Sequence, residues 1–199
     1  MICEFNPFHN GHKFLLEKIK IEYADQVICV MSGSFVQRGD IAITDKYSRA
    51  RAALENGADA VVELPSAYAV SSAEIFSENG VRIAAAMGCD MLCFGAESGI
   101  GELKALSDML GREDINQKIR GYLDNGEYYP KALSLAVGDE YADIISQPNN
   151  ILALEYIKAC KKYSIEPVAI QRRGPAHDSA DIHGSFASAT MIRGLIASG

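Results

Sequence analysis

Two histidines, His9 and His12, stand three positions apart near the start of the chain, with Gly11 between them. They follow a short apolar segment and precede an amphipathic run, Lys13–Ile21, whose apolar side chains share one helical face. We therefore expect the histidines at a strand-to-helix turn, where a helix N-terminus offers unpaired N–H groups to an anion. Pro7 ends strand pairing, and the glycine lets the backbone approach a ligand closely. The chemistry that this pattern predicts is phosphate binding.

Two other interpretations of the histidine pair exist. One is a structural loop in which one ring caps the helix and the other is solvated. The other is a zinc site, but no glutamate accompanies the pair in a zinc-protease arrangement. The whole string Asn6–His12 is much more specific than its two histidines. It resembles the phosphate-binding signature of the nucleotidylyltransferase superfamily, in which both imidazoles hydrogen-bond phosphate oxygens, and we favour that interpretation.

A second signal lies near the end of the chain, at Ser188–Arg193. It places the hydroxyl residues Ser188 and Thr190 before a helix that we expect to begin near Met191, with Arg193 on its first turn. Hydroxyl groups at a helix N-terminus and an arginine suit phosphate oxygens. Alone, the segment would more simply be an N-cap with the arginine in solvent. Its resemblance to the Ser-Ser-Thr-x-x-Arg motif of nucleotidylyltransferases favours a ligand-binding role.

Length and composition indicate an ordinary globular protein. The 199 residues are enough for one sizeable domain, so we predict a single domain over residues 1–199. No apolar run approaches membrane-spanning length and no leader pattern opens the chain, which predicts a cytoplasmic protein without membrane contact. The five cysteines are odd in number and lie in apolar settings, which indicates reduced, buried thiols.

The formal net charge of −7 argues against a general nucleic-acid-binding surface, which would need a basic patch. A local basic group does exist, made of Lys158, Lys161, Lys162, Arg172 and Arg173. A solvated helix end with one arginine facing a ligand explains this group at least as well as contact with RNA does.

Strand and helix patterns alternate along the whole chain. Strands are predicted at Met1–Phe5, Gln26–Met31, Asp59–Leu64, Asp90–Phe94 and Glu166–Ile170. Helical patterns lie at Lys13–Ile21, around Tyr47–Leu54, at Ser72–Met87, Glu102–Leu110 and Asp114–Asp124, from Tyr129 onwards, through Tyr156, and from about Met191. Such alternation predicts an α/β fold with a parallel sheet covered by helices on both faces. Ligands bind outside the carboxyl ends of such strands, so the histidine turn, the Gly33 loop, Gly95 and the segment after Ile170 should gather at one edge.

Several weaker segments have two interpretations each. Gly33–Asp40 is either a surface loop or an ordered wall near phosphates, with Gln37 and Arg38 as contacts. Asp45-Lys46 is more simply a helix start than a catalytic pair, although the lysine could reach pyrophosphate.

The same holds for three segments in the last third of the chain. Pro148–Asn150 fits a turn with a helix cap, although asparagine side chains can also bind a ribose or an adenine edge. Gln171–Gly174 follows a strand at the binding edge, so one of its arginines could face a triphosphate. A polar loop explains His177, Asp178, Asp181 and His183 better than a metal site does.

Taken in order, these motifs single out a family. The family resemblance rests on Glu4–His12, Gly33–Asp40, Phe94–Glu97, Pro148–Leu152 and Ala187–Thr190 with Arg193. They are similar to the bacterial tRNA(Met) cytidine acetate ligases, over essentially the whole chain. The resemblance implies a Rossmann-like, HUP-type nucleotidylyltransferase fold. It also implies that acetate attacks the α-phosphorus of ATP, and that the N4 amine of the wobble cytidine in elongator tRNA(Met) then takes the acetyl group to give N4-acetylcytidine.

The resemblance also implies site residues, cofactors and partners. His9, His12 and Arg193 would be catalytic. ATP would be bound by Ile2, Cys3, Glu4, Phe5, Asn6, Pro7, Phe8, His9, Asn10, Gly11, His12, Gly95, Asn149, Asn150, Arg173, Ser188 and Thr190. Mg²⁺ would neutralise the departing pyrophosphate, with no metal site made by the protein itself. The other partners would be acetate and the anticodon loop of elongator tRNA(Met), whose unstacked base can enter a pocket.

Two departures from the family pattern leave other functions open. Only Met1-Ile2-Cys3 precedes Glu4, with Phe5 for the usual tyrosine, and we expect the family's C-terminal helical tRNA-binding region to be absent. One alternative is a small-molecule nucleotidylyltransferase acting on a phosphorylated metabolite. The other is a non-catalytic module that binds a nucleotide or RNA.

Overall fold

A computed structural model describes residues 1–172 and 188–198 of the chain. In these residues the strands are β1 (Ile2–Cys3), β2 (Ile28–Ser32), β3 (Ala60–Leu64), β4 (Met91–Ala96) and β5 (Glu166–Gln171). The α-helices are α1 (Asn10–Glu22), α2 (Lys46–Glu55), α3 (Ser66–Ala69), α4 (Ala73–Ala86), α5 (Ile100–Leu110), α6 (Glu113–Asp124), α7 (Tyr129–Val137), α8 (Ala142–Ser146), α9 (Pro148–Tyr163) and α10 (Ala189–Ala197), with a 3-10 helix at Asp139–Tyr141. The predicted alternation of strand and helix is confirmed.

The strands pair in parallel, as predicted, but their hydrogen bonds form two sheets instead of one. One sheet has the order β1-β2-β3 and the other joins β4 to β5. Strand β1 contributes only two pairs, Ile2 with Val30 and Cys3 with Met31. Its extended backbone ends before Phe5, whose φ of 49° turns the chain away. The prediction of a first strand reaching Phe5 was therefore wrong, and β1 is too short to join the two sheets by hydrogen bonds.

Side-chain packing nevertheless unites the strands, because successive residues of each strand point to opposite faces. On one face, Ile2, Val30 and Leu92 belong to a core built with α4, α5 and α9. On the other face, Cys3 and Cys93 belong to a second core built with α1 and α2. Each core draws side chains from both sheets, so helices cover both faces as the sequence predicts.

Some element boundaries differ from the prediction. Strand β4 continues through Gly95 and Ala96, because these residues extend the parallel pairing to Ile170 and Gln171 of β5. Two short helices, α3 and α8, were not predicted, since four or five residues carry too little periodicity. Helix α10 begins at Ala189, two residues before the predicted start.

All five cysteines are free thiols, and only Cys89 is not fully buried, which confirms the prediction for this chain. Among the residues that the structure describes, no helix is long and apolar enough to cross a membrane.

A tight contact between α4 and β1 provides a test of the fold. A methyl group on Gly80 would lie 2.6 Å from Cδ1 of the buried Ile2, so Gly80→Ala should lower the free energy of unfolding by about 1–3 kcal/mol. Gly121 in α6 has open space at the same position, so Gly121→Ala should raise it by up to about 1 kcal/mol through helix propensity. Urea unfolding of both variants measures the difference, and equal changes would contradict this packing.

Candidate active site

The histidine turn follows directly from β1. Phe5 is fully buried, and its ring packs edge-on against Phe8 and His12, each with ring centroids 5.0 Å apart. The Asn6–Pro7 peptide is cis, and α1 begins at Asn10. The predicted strand-to-helix turn is therefore confirmed, and the buried ring of Phe5 packs beneath it.

Hydrogen bonds fix both imidazole rings. Nδ1 of His9, the N-cap residue of α1, accepts the backbone N–H of Gly11 at 3.1 Å. Nδ1 of His12 accepts the backbone N–H of His9 at 3.3 Å. A neutral imidazole whose Nδ1 accepts a hydrogen bond carries its proton on Nε2. Both histidines thus have an Nε2–H group, the form that donates to a phosphate oxygen.

The two rings also lie against each other, with centroids 3.8 Å apart and planes 23° apart. Burial is the main factor that holds the pKa of His12 well below its ordinary value, and the charges of His9 and Arg172 lower it further. His12 is therefore neutral at pH 7, because protonation would place a positive charge in a buried position near Arg172.

The position of the His9 ring leaves room only for a glycine at residue 11. A methyl group there would lie 2.9 Å from Cε1 and 3.1 Å from Nδ1 of His9. A larger residue there would displace the His9 ring and disturb the hydrogen bond from the Gly11 N–H to its Nδ1. The close approach that the sequence predicts for Gly11 is thus to the protein's own imidazole.

Glu4 and Asn6 connect the turn to the loop after β2. Oε1 of Glu4 accepts the backbone N–H of Gln37 at 2.6 Å, and Oδ1 of Asn6 accepts that of Ile43 at 2.8 Å. Burial raises the pKa of Glu4, although the Gln37 N–H and nearby arginines act against it. The loop closes on itself through a bridge between Phe35 and Ile41. The loop is thus held in place beside the turn, although Arg38, Gly39 and Asp40 are exposed as in a surface loop. Contact of Gln37 and Arg38 with phosphates stays a prediction.

The Ser188–Arg193 segment reaches the same turn. Oγ of Ser188, the N-cap of α10, accepts the Met191 N–H at 3.1 Å. Arg193 lies one residue beyond the first turn, contrary to the prediction, because the helix starts early. Its Nη1 donates to the Asn6 carbonyl at 2.8 Å and its Nη2 to Oγ1 of Thr190 at 3.1 Å. Through this arginine, α10 contacts the histidine turn.

Gly95 and the residue after β5 also meet at this edge. A methyl group on Gly95 would lie 3.2 Å from Cγ of Arg172, so the arginine side chain lies across the glycine. Nε of Arg172 is 3.8 Å from Oε1 of Glu97. Arg172 also lies close enough to His12 to lower its pKa. Arg173, the predicted ATP contact, lies outside the described residues, and Arg172 is the arginine that the structure brings to the site.

The two asparagines of α9 hold the loop after β4. Asn150 is fully buried, and its Oδ1 accepts the N–H groups of Glu97 and Ser98, each at 3.1 Å. Its Nδ2 donates to Oγ of Ser98 and to the Ile144 carbonyl. Asn149 donates to Oε1 of Glu97 at 2.6 Å. The predicted cap is wrong, because the N-cap of α9 is Gln147 and both asparagines lie within the first turn.

The remaining candidates divide into supporting and unplaced residues. The side chains of Ile2 and Cys3 are buried in the core, so these residues anchor the start of the turn without facing it. Lys46 begins α2 and pairs with Glu63 at 2.6 Å, which confirms the helix start. The polar residues from His177 to His183 lie outside the described residues. In the part that is described, no three His, Cys, Asp or Glu side chains come together as a metal site.

The electrostatic contact between Arg172 and His12 can be tested directly. Arg172→Gln removes a positive charge that disfavours the protonated imidazole, so the pKa of His12 should rise while staying below its ordinary value. An NMR titration of the His12 ring measures it. Arg51→Gln, an exposed substitution of the same type in α2, should leave this pKa unchanged. If the pKa of His12 stayed the same in Arg172→Gln, the proposed electrostatic contact between the two side chains would be contradicted.

Comparison with known proteins gives a consistent result. A tRNA(Met) cytidine acetate ligase from Acetivibrio thermocellus is 44% identical over 209 residues, covering 98% of this chain and 50% of that protein. One from Caldicellulosiruptor saccharolyticus is 44% identical over 201 residues, covering 97% of this chain and 50% of that protein. The chain thus spans about half the length of the curated relatives it matches.

Solved structures agree. TmcAL from Thermotoga maritima in an apo form has a TM-score of 0.89 and 32% identity, covering 99% of this chain and 50% of that one. The same protein bound with alpha-thio ATP has a TM-score of 0.86 and 32% identity, covering 99% of this chain and 49% of that one. The predicted Rossmann-like α/β fold and the resemblance to these ligases are confirmed. The model of the family described as HIGH Nucleotidyl Transferase matches residues 1–199, and the chain belongs to that family.

Proposed function

We propose that this chain activates acetate with ATP to give acetyl-adenylate, as the first half of an acetate–tRNA ligase reaction. The observation that carries the proposal is the pair of stacked imidazoles at the N-terminus of α1, each with Nδ1 bound to a backbone N–H. Two Nε2–H donors beside a helix N-terminus suit the oxygens of a phosphate chain. The similarity to a protein solved with alpha-thio ATP supports ATP as the nucleotide.

In the proposed step, a carboxylate oxygen of acetate attacks the α-phosphorus and the bond to the β-phosphate breaks. Acetyl-adenylate and pyrophosphate result, and no covalent link to the protein forms. The protein's task is to hold the reactants in line and to stabilise the charge that develops on the phosphate oxygens. We assign the stabilisation to His9, His12 and Arg193, because the arginine is already anchored to the Asn6 carbonyl beside the histidine turn.

We assign the opposite wall of the ATP site to Gly95 and Arg172. Because Gly95 has no side chain, the side chain of Arg172 can lie across the end of β4, and its charge is near enough to His12 to lower the pKa of that ring. Asn149 and Asn150 would act indirectly, by fixing the loop that carries Glu97 and Ser98. The same indirect role fits Glu4 and Asn6, whose side chains hold the loop after β2.

Magnesium enters this proposal with the nucleotide. Residues 1–172 and 188–198 offer no cluster of acidic side chains that would bind the ion without ATP. Mg²⁺ keeps several waters and is commonly held through substrate phosphates, with one or two carboxylates. Its contribution would be to neutralise the pyrophosphate that leaves.

For the second half-reaction we propose that N4 of the wobble cytidine in elongator tRNA(Met) attacks the acetyl carbon and releases AMP. The names of the relatives, tRNA(Met) cytidine acetate ligases, support a cytidine of tRNA(Met) as the acceptor. We propose a cytoplasmic setting for this reaction. The lysines of α9 give it no support, because Lys158, Lys161 and Lys162 each pair with an acidic side chain. Of the described members of the predicted basic group, Arg172 is the one that lies beside the site.

Removing either imidazole tests the site. His9→Ala or His12→Ala should lower acetate-dependent pyrophosphate release about a hundred- to a thousandfold, because each removes a donor to the developing charge. Lys13→Ala is the matched control, since this exposed neighbour in α1 pairs only with Glu17, at 3.9 Å, among the ion pairs of the described residues. Circular dichroism should show cooperative unfolding in all three variants. Wild-type release in either histidine variant would refute the assignment.

The reaction itself is tested by incubating the chain with ATP and Mg²⁺, with and without acetate, and detecting acetyl-adenylate by mass spectrometry. Its appearance only with acetate is the expected result. Release of pyrophosphate with a phosphorylated metabolite instead would identify a small-molecule nucleotidylyltransferase. ATP binding without any adduct would identify a binding module. Elongator tRNA(Met) is then added to the active mixture, and N4-acetylcytidine is measured in the digested RNA.

A further inference from the structure

Arg49, in the first half of α2, is almost completely buried, with 2% of its surface exposed. Its Nη1 donates to the carbonyl of Glu4 at 2.6 Å and to that of Ser32 at 3.2 Å. Its Nη2 donates to the carbonyl of Gly33, and its Nε to that of Thr44 at 3.2 Å. Four hydrogen bonds from one guanidinium therefore end on backbone oxygens of three separate segments.

These segments are the ones that frame the candidate site. Glu4 leads out of β1 into the histidine turn, and Ser32 and Gly33 lead out of β2 into the neighbouring loop. Thr44 closes that loop just before α2. The guanidinium thus joins the carboxyl ends of the two strands from which the walls of the site are built. Its planar fork can span several acceptors at fixed angles, which a lysine ammonium cannot do.

The Arg49 guanidinium also places a buried positive charge at the carboxyl ends of β1 and β2. Backbone carbonyls carry only partial negative charge, so the contacts satisfy its N–H groups without cancelling its charge. Arg49 lies near enough to Glu4 to lower the pKa of that carboxyl, as do Arg38 and Arg193. Burying a charged side chain in this way is costly, which makes a role in packing alone an inadequate explanation.

We propose that Arg49 is a positioning residue for adenylation: it sets the distance and angle between the histidine turn and the loop after β2. The inference rests on the proposed acetate activation. Variants that lack the Arg49 guanidinium should therefore still fold and bind ATP. They should hold His9 and His12 out of line with the α-phosphate that reacts. A 1 Å misplacement can cost about a hundredfold in rate.

The test compares Arg49→Lys and Arg49→Gln with Arg51→Lys and Arg51→Gln, which alter an exposed arginine two residues along the same helix. Acetyl-adenylate formation is followed in single turnovers, with enzyme in saturating excess over ATP. The rate constant then reports only on folded, active molecules, whereas the amplitude reports on how many there are. We expect the rate constant to fall about ten- to a hundredfold in both Arg49 variants and to stay unchanged in both Arg51 variants.

A wild-type rate constant with reduced amplitude in the Arg49 variants would overturn the proposal, because it would show a role in stability alone. Failure of both Arg49 variants to fold would overturn it as well. A second readout does not need activity: the ¹⁵N shifts of the His9 and His12 rings should change in Arg49→Lys and not in Arg51→Lys. If the wild type forms no acetyl-adenylate, the proposed function fails, and these shifts still decide whether Arg49 positions the turn.

Discussion

The hydrogen bonds made by Glu4 and Asn6 are the constraint on which the site depends. These residues follow β1 directly, and between them Phe5 turns the chain with a positive φ. Their side chains accept backbone N–H groups of the loop after β2, and their carbonyls accept from Arg49 and Arg193. Three parts of the chain that are distant in sequence, the loop after β2, α2 and α10, are thereby fixed to Glu4 and Asn6. Strand β1 can be as short as two residues because these hydrogen bonds to Glu4 and Asn6 hold its end. A long series of backbone hydrogen bonds to β2 is not needed.

The groups around this segment suit an anionic ligand, because the arginines carry positive charge while His12 is a neutral hydrogen-bond donor. Positive charge comes from arginines, which stay protonated at any physiological pH. The histidine whose pKa is lowered, His12, remains neutral and has its proton on Nε2. A neutral donor needs no proton uptake when a phosphate arrives, and its hydrogen bond strengthens as negative charge builds. Stacking with His9 and packing on Phe5 keep the ring in that form and orientation.

Local features of this site could be predicted from sequence, because they depend on neighbours along the chain. The turn before α1 and the helix start at Asp45 lie where residue types and spacing indicate, whereas α10 begins two residues earlier than predicted. The gathering of Gly33, Gly95 and the histidine turn at one edge followed from the rules for parallel α/β sheets. The Ser188–Arg193 segment was recognised by its motif.

What sequence could not give depends on contacts between distant segments. Arg49 stands in a polar helix start, and no local pattern distinguishes it from the exposed Arg51. Asn150 resembled a cap, but its amide bonds mainly to a loop more than fifty positions away. The contact of Arg172 with Gly95 was not predicted either, because it depends on the register in which β5 pairs with β4.

The two halves of the proposed reaction make different physical demands, and this chain meets one of them more fully. Activating acetate needs a compact site of oriented donors, and those donors lie within the residues that the structure describes. Holding an RNA needs an extended positive surface, since phosphate contacts supply most of the affinity. Here the net charge is −7 and the lysines of α9 are paired with acids. The relatives are about twice as long as the segment they share with this chain. The proposed adenylation therefore depends on donors that lie within the segment shared with these relatives, whereas the described residues of that segment give the proposed RNA contact no comparable support.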